Sequence, residues 1–192
     1  GWEMPSLCHM PLLRNEDGFL PLDRDRVGRI VLLGRNARET ETSGYGAARV
    51  EPTDPVSILA SIEQAAGAEV TIEQFDTLTA DAREAVGRAD AVFVSVGTRE
   101  REANDRPFEL SDEDRALIHD AGAISENVGV LITAGSGVEM ASWIDRTRGV
   151  LMAWFGGNAG NTAVGEILFG DVNPSGRLPF TIERRWEDSP AY

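Results

Sequence analysis

The sequence predicts an α/β fold, a three-layer α/β/α sandwich in which a mostly parallel sheet lies between two layers of helices. Three observations predict it. Apolar runs rich in β-branched residues recur at wide spacing. Several are apolar at nearly every position, as strands buried on both faces are. Amphipathic helical patterns fill the stretches between them, and strands alternating with helices give a parallel sheet covered on both sides.

The strand candidates are R-I-V-L-L-G (29 to 34), E-V-T-I-E (69 to 73), A-V-F-V-S-V-G (91 to 97), V-G-V-L-I-T-A-G (128 to 135) and G-V-L-M-A-W-F-G (149 to 156). They place Val31, Val94, Ile132 and Met152 in the core. The first helix is expected to start at Asp54-Pro55, with Val56, Ile58, Leu59, Ile62 and Ala66 on one face. Thr79 caps a second helix over 80 to 88. Ser111 followed by Asp114 resembles a capping pair and leads into R-A-L-I-H-D-A. The last helix runs over N-T-A-V-G-E-I-L-F, with Gly170 as its stop. Segments 35 to 53 and 98 to 110 are long connections at strand C-terminal ends, where open α/β sheets hold their ligands.

Composition narrows the function. The chain has 192 residues, 42% of them apolar, which suits one domain with a sizeable core. A net charge of −14 argues against nucleic acid or an anionic membrane as partner. No apolar stretch approaches the ~20 residues of a membrane span. Cys8 is the sole cysteine, so there is no internal disulfide framework.

Most familiar site types also fall away. Gly34 and A-G-S-G (134 to 137) complete neither G-x-G-x-x-G nor the P-loop, which needs a lysine; all 18 basic residues are arginine. Glycines that turn the chain from strand to helix are the better reading. No G-x-S-x-G elbow exists. The two histidines, His9 and His119, lie far apart, too thin a set for a metal site, and His119 reads as a half-buried or surface helix residue. No motif calls for a cofactor. Trp143 and Trp154 fall in apolar contexts and read as core, whereas Trp2 and Trp186, near the termini, could cover a sheet edge or a partner.

What remains is R-E-R-E-A-N-D-R (99 to 106), directly after the third apolar run. A charge cluster is ordinarily a solvated turn. The sharper reading is a glycosidase carboxylate, which protonates a leaving oxygen opposite a second carboxylate.

The stretches at 11 to 22 (P-L-L-R-N-E-D-G-F-L-P-L), 29 to 37 (R-I-V-L-L-G-R-N-A), 102 to 106 (E-A-N-D-R) and 153 to 181 (opening A-W-F-G-G-N-A-G-N-T) favour the sharper reading, because together they resemble the C-terminal α/β domain of glycoside hydrolase family 3, the family of many β-glucosidases. P-L-L-R-N-E-D-G-F-L-P-L (11 to 22) is similar to the family's L-L-K-N-x-x-x-L-P-L. R-I-V-L-L-G-R-N-A (29 to 37) is similar to its I-x-V-I-G-P-N-A strand. E-A-N-D-R (102 to 106) resembles E-G-x-D-R. The run A-W-F-G-G-N-A-G-N-T-A-V-G-E-I-L-F-G-D-V-N-P-S-G-R-L-P-F-T (153 to 181) resembles the family's most recognisable block.

The resemblance implies a sheet of about six strands over residues 11–192, with 1–10 as an unmatched extension. It also implies a partner, a (β/α)8 barrel domain that supplies the aspartate nucleophile and most sugar contacts. Such a barrel takes ~250 residues, more than this whole chain, so the resemblance puts it on another polypeptide or a missing segment. The implied function is that of a retaining, exo-acting β-glycosidase cleaving β-linked glycosides. Glu102 is the implied general acid/base, with Glu100 as fallback. Asp105 and Arg106 are expected to pair locally and shape the loop. Two positions depart from the family pattern: Ala103 replaces the usual glycine, and Ala47 stands where a sugar-contacting serine would be. The alternative is a non-catalytic sugar-binding or scaffolding module of the same fold.

Overall fold

A computed structural model describes residues 9–101 and 103–190. Its six strands are β1 (Leu12–Asn15), β2 (Arg29–Leu33), β3 (Thr71–Phe75), β4 (Ala91–Gly97), β5 (Val128–Thr133) and β6 (Gly149–Met152). They lie in the order β1-β6-β5-β4-β2-β3. All neighbours run parallel except β1, which is antiparallel to β6 at one edge.

The near-continuous apolarity of β2, β4, β5 and β6 has a direct cause: both faces are covered. One face carries α1 (Ile58–Ala66) and α4 (Thr162–Leu168), which pack Ile58, Ile62, Val164 and Leu168 onto Ile30, Leu32, Phe93, Leu131 and Leu151. The other carries α2 (Ala80–Arg88) and α3 (Asp112–Ile124), which pack Ala85, Val86, Ile118 and Ala121 onto Val31, Val94, Ile132 and Met152. Those four strand residues are fully buried, as expected. Each large aliphatic side chain buried this way contributes about 1.5–3 kcal/mol before entropy is charged against it. The two helices α1 and α4 meet closely at Gly165, where an added Cβ would stand 2.2 Å from the Ser61 carbonyl. Ser61 Oγ accepts from Gly165 N and donates to the Thr162 carbonyl across that contact.

The helix starts follow their caps. Thr79 Oγ1 accepts from Ala82 N and Ser111 Oγ from Asp114 N, as expected. The first helix starts later than Asp54-Pro55. Ser57 Oγ accepts from Ala60 N and caps it, while Val56 N donates to the Asn158 carbonyl instead of entering a helix. The expected strands at 128 to 135 and 149 to 156 stop short, at Thr133 and Met152, where their ladders end. The strand expected over 69 to 73 is β3, which starts at Thr71 rather than Glu69.

One polar tie organises the strand C-terminal ends. Asn36 Nδ2 donates to Ser95 Oγ, the Val96 carbonyl and Thr133 Oγ1, at 3.0–3.1 Å, joining the β2 loop to β4 and β5. Gly97 leaves room for it, since a Cβ there would lie 2.9 Å from Asn36 Oδ1.

Candidate functional site at the C-terminal edge of the sheet

The charged stretch leaves the C-terminal end of β4 and is clamped at its base. Glu100 Oε1 accepts from Thr98 Oγ1 at 2.8 Å, Gly135 N at 3.0 Å and Ser136 Oγ at 3.3 Å. Arg106 Nε completes the set, 3.0 Å from the same oxygen. Arg106 also donates to Ser136 Oγ and to the carbonyls of Pro107 and Gly137. The A-G-S-G turn therefore does cradle an anion, but the anion is a carboxylate of the same chain. Gly135 permits this approach, because an added Cβ would lie 2.5 Å from Glu100 Oε2.

One expectation changes here. Arg106 shapes its surroundings through Glu100; no ion pair joins it to Asp105, which is exposed. Glu100 has its Oε1 engaged by four donors, an arrangement suited to holding a side chain still. Glu102 lies outside the described residues. On either side of it, Arg101 and Asn104 line a cleft, and Asn104 N donates to the Arg101 carbonyl at 3.2 Å. Ala103 has φ 62°, the left-handed region in which glycine is at ease and alanine is strained.

The segment 35 to 53 braces the loop from the side. Tyr45 N donates to the Glu100 carbonyl at 2.7 Å, and Tyr45 pairs with Arg101 in an isolated parallel bridge. Glu41 accepts from Arg99 Nε at 2.7 Å and from the Tyr45 hydroxyl at 3.0 Å. That hydroxyl bond, followed by burial, raises the Tyr45 phenol above its ordinary value of 10.0. Three charges of the 99 to 106 stretch are thus internal struts: Arg99 to Glu41, and Glu100 to Arg106.

The cleft beside this loop has a volume of about 710 Å³. Arg101, Asn104 and Asp105 line it from the charged loop. Phe180, Glu183 and Trp186, from the irregular C-terminal stretch, line it as well. Of the tryptophans, Trp143 is buried as expected, Trp154 is half-buried, Trp186 is exposed, and Trp2 lies outside the described residues. His119 is half-buried on α3. Among the described residues no group of three or more His, Cys, Asp or Glu is placed to hold a metal ion. Sequence reasoning missed Asn36, Thr98 and Ser136, whose roles depend on partners remote in the chain. The only local signal was the position of Asn36 just past the β2 glycine.

Residues 10–192 match the family model described as the glycosyl hydrolase family 3 C-terminal domain. The chain belongs to this family. It is 32% identical over 95% of its length to thermostable beta-glucosidase B of Acetivibrio thermocellus. It is 29% identical over 94% to an exo-alpha-(1->6)-L-arabinopyranosidase of Bifidobacterium longum. It spans 26% of each of these proteins. Among solved structures, a family 3 beta-glucosidase of Bifidobacterium adolescentis superposes with a TM-score of 0.85 at 30% identity, over 96% of this chain and 29% of that one. Beta-glucosidase 3B of Thermotoga neapolitana, in complex with glycerol, gives 0.83 at 27% identity, over 95% and 30%. The family 3 domain is thus matched in sequence and in its six-stranded, mostly parallel fold.

Proposed function

We propose that this domain lends the general acid/base to a retaining, exo-acting β-glycosidase whose active site is completed by a (β/α)8 barrel on another polypeptide or a missing segment. Glu102 is the acid/base. In the first step its carboxylic acid protonates the glycosidic oxygen while the barrel carboxylate attacks the anomeric carbon, and the leaving group departs as an alcohol. In the second, the Glu102 carboxylate takes a proton from water, whose oxygen displaces the barrel carboxylate and frees the sugar with retained configuration.

The observation that carries this reading is the clamp between Glu100 and Arg106. It closes the loop at its base, and Arg101, Asn104 and Asp105, which lie between the two in sequence, line the cleft. Glu100 serves as the anchor, and Glu102 is the carboxylate left for chemistry. Asp105 and Arg106 belong to the loop-shaping set. Residues 11–192 form the functional unit. A non-catalytic sugar-binding role is the second reading, favoured by Ala47, which offers no hydroxyl on the neighbouring loop.

The test is complementation. The 192-residue chain alone should not turn over aryl β-glucosides, and adding a family 3 barrel that fits its interface should produce turnover. Hydrolysis by the chain alone, or none with any fitting barrel, would contradict the proposal; the latter result favours the binding module.

A further inference from the structure

We propose that Glu41 and Tyr45 are positioning residues for the acid/base, setting where the 99 to 106 loop carries residue 102. The inference rests on the role proposed above for Glu102. Between them, Glu41 and Tyr45 hold the three residues that come directly before it. Glu41 Oε1 accepts from Arg99 Nε at 2.7 Å. Tyr45 N donates to the Glu100 carbonyl at 2.7 Å, and Tyr45 bridges Arg101 in parallel. The Tyr45 hydroxyl, 3.0 Å from Glu41 Oε2, joins the two holds into one unit. That unit is seated on the sheet. Glu41 N donates to Asn36 Oδ1, and Asn36 Nδ2 is bonded to β4 and β5. Thr40 Oγ1 donates to the Asn36 carbonyl and accepts from Ile58 N at the start of α1. On the far side, Gly157 N donates to the Thr42 carbonyl and Val56 N to that of Asn158.

The energetics separate this brace from the core. Apolar burial is the dominant favourable term in folding, and among the described residues none from 38 to 57 is buried. The side chain of Arg99 is 67% exposed, so its pair with Glu41 is screened by water and adds little to stability. Removing Glu41 leaves Arg99 free to hydrate. The fold therefore has little to lose here, whereas a general acid has much. It must lie within hydrogen-bond reach of the leaving oxygen, and a misplacement of about 1 Å can cost 10²-fold in rate. A segment tied to the sheet by polar bonds, and gripping three consecutive residues, is suited to fixing a position.

The test compares two substrates of the barrel-complemented enzyme. Methyl β-glucoside has a leaving group that needs a proton; 2,4-dinitrophenyl β-glucoside has one that does not. Glu41→Ala should lower kcat/KM for the methyl glucoside roughly 10- to 100-fold, and for the dinitrophenyl glucoside less than about twofold. The thermal unfolding midpoint should not move. Glu41→Gln, which keeps an oxygen for Arg99, should recover most of the loss. Tyr45→Phe, which gives up only the hydroxyl bond, should show the same selectivity with a smaller effect. Equal losses on both substrates, full activity on both, or a lowered midpoint would overturn the proposal, the last by making the brace a part of the fold. Glu102→Ala in the same assay separates the two readings. If that variant loses both substrates equally, the acid/base role falls. If it shows the selective loss and Glu41→Ala does not, only the brace falls.

Discussion

Arg106 Nε stands 3.0 Å from Glu100 Oε1, and this ion pair closes a short loop around residue 102. Both side chains are mostly buried, 18% and 21% exposed, so the pair is shielded more than a surface bridge would be. Removing one partner leaves the other half-desolvated among fixed dipoles. Glu100→Ala should therefore destabilise the domain by about 1–3 kcal/mol in urea denaturation. Gly135→Ala should act through the same contact, since its Cβ would displace Glu100 Oε2. The double variant should cost no more than about 0.5 kcal/mol beyond the larger single effect. Strict additivity would place the two residues in separate networks.

Ala103 holds a left-handed backbone, φ 62°, at the position where the family pattern carries glycine. An L-residue with a Cβ gives up about 1 kcal/mol there, partly offset by the freer unfolded chain of glycine. Ala103→Gly should be neutral to stabilising by up to about 1 kcal/mol, and Ala103→Val should be destabilising by more than that. Thermal unfolding of the three proteins decides it. A less stable glycine variant would contradict the strain.

Tyr45 gives a pH readout of the brace between the two loops. Its hydroxyl donates to Glu41, so the folded phenol titrates above its ordinary value of 10.0. A raised folded value means that the bond contributes fully below pH ~10 and is lost as pH rises through the folded value. Tyr192 is the only other tyrosine, which makes absorbance titration simple. Glu41→Gln should return the Tyr45 transition toward the ordinary phenol. An unchanged transition in that variant would assign the shift to burial alone.

How far the sequence could be read is clearest strand by strand. Ala91–Gly97 was legible to the residue because both faces are covered and every position but the last is buried. Leu12–Asn15 was not among the apolar runs, since it is a short antiparallel edge strand that ends in polar residues. The same divide runs through the site. The charged stretch and its place after β4 could be read locally. The Glu100 clamp could not, because Gly135 and Ser136 come 35 and 36 residues later. Local pairing of Asp105 with Arg106 was the natural guess from adjacency, and it lost to a rigid turn on the neighbouring strand that offers an N–H, a hydroxyl and a carbonyl together.

The proposed division of roles, Glu102 as acid/base and Glu100 as anchor, has a direct chemical test. It is tested by chemical rescue in the assembled, barrel-complemented enzyme. Glu102→Ala should lower hydrolysis of unactivated β-glucosides by roughly 10² to 10⁴-fold, the usual contribution of a general acid/base. Azide, which needs no deprotonation, should restore turnover of an activated aryl β-glucoside and yield the β-glucosyl azide of retained configuration. Glu100→Ala should lose less and show no rescue, because it disturbs only the seat of the loop. Rescue of the Glu100 variant, with the Glu102 variant unmoved by azide, would show that the clamp is the catalyst and contradict the assignment.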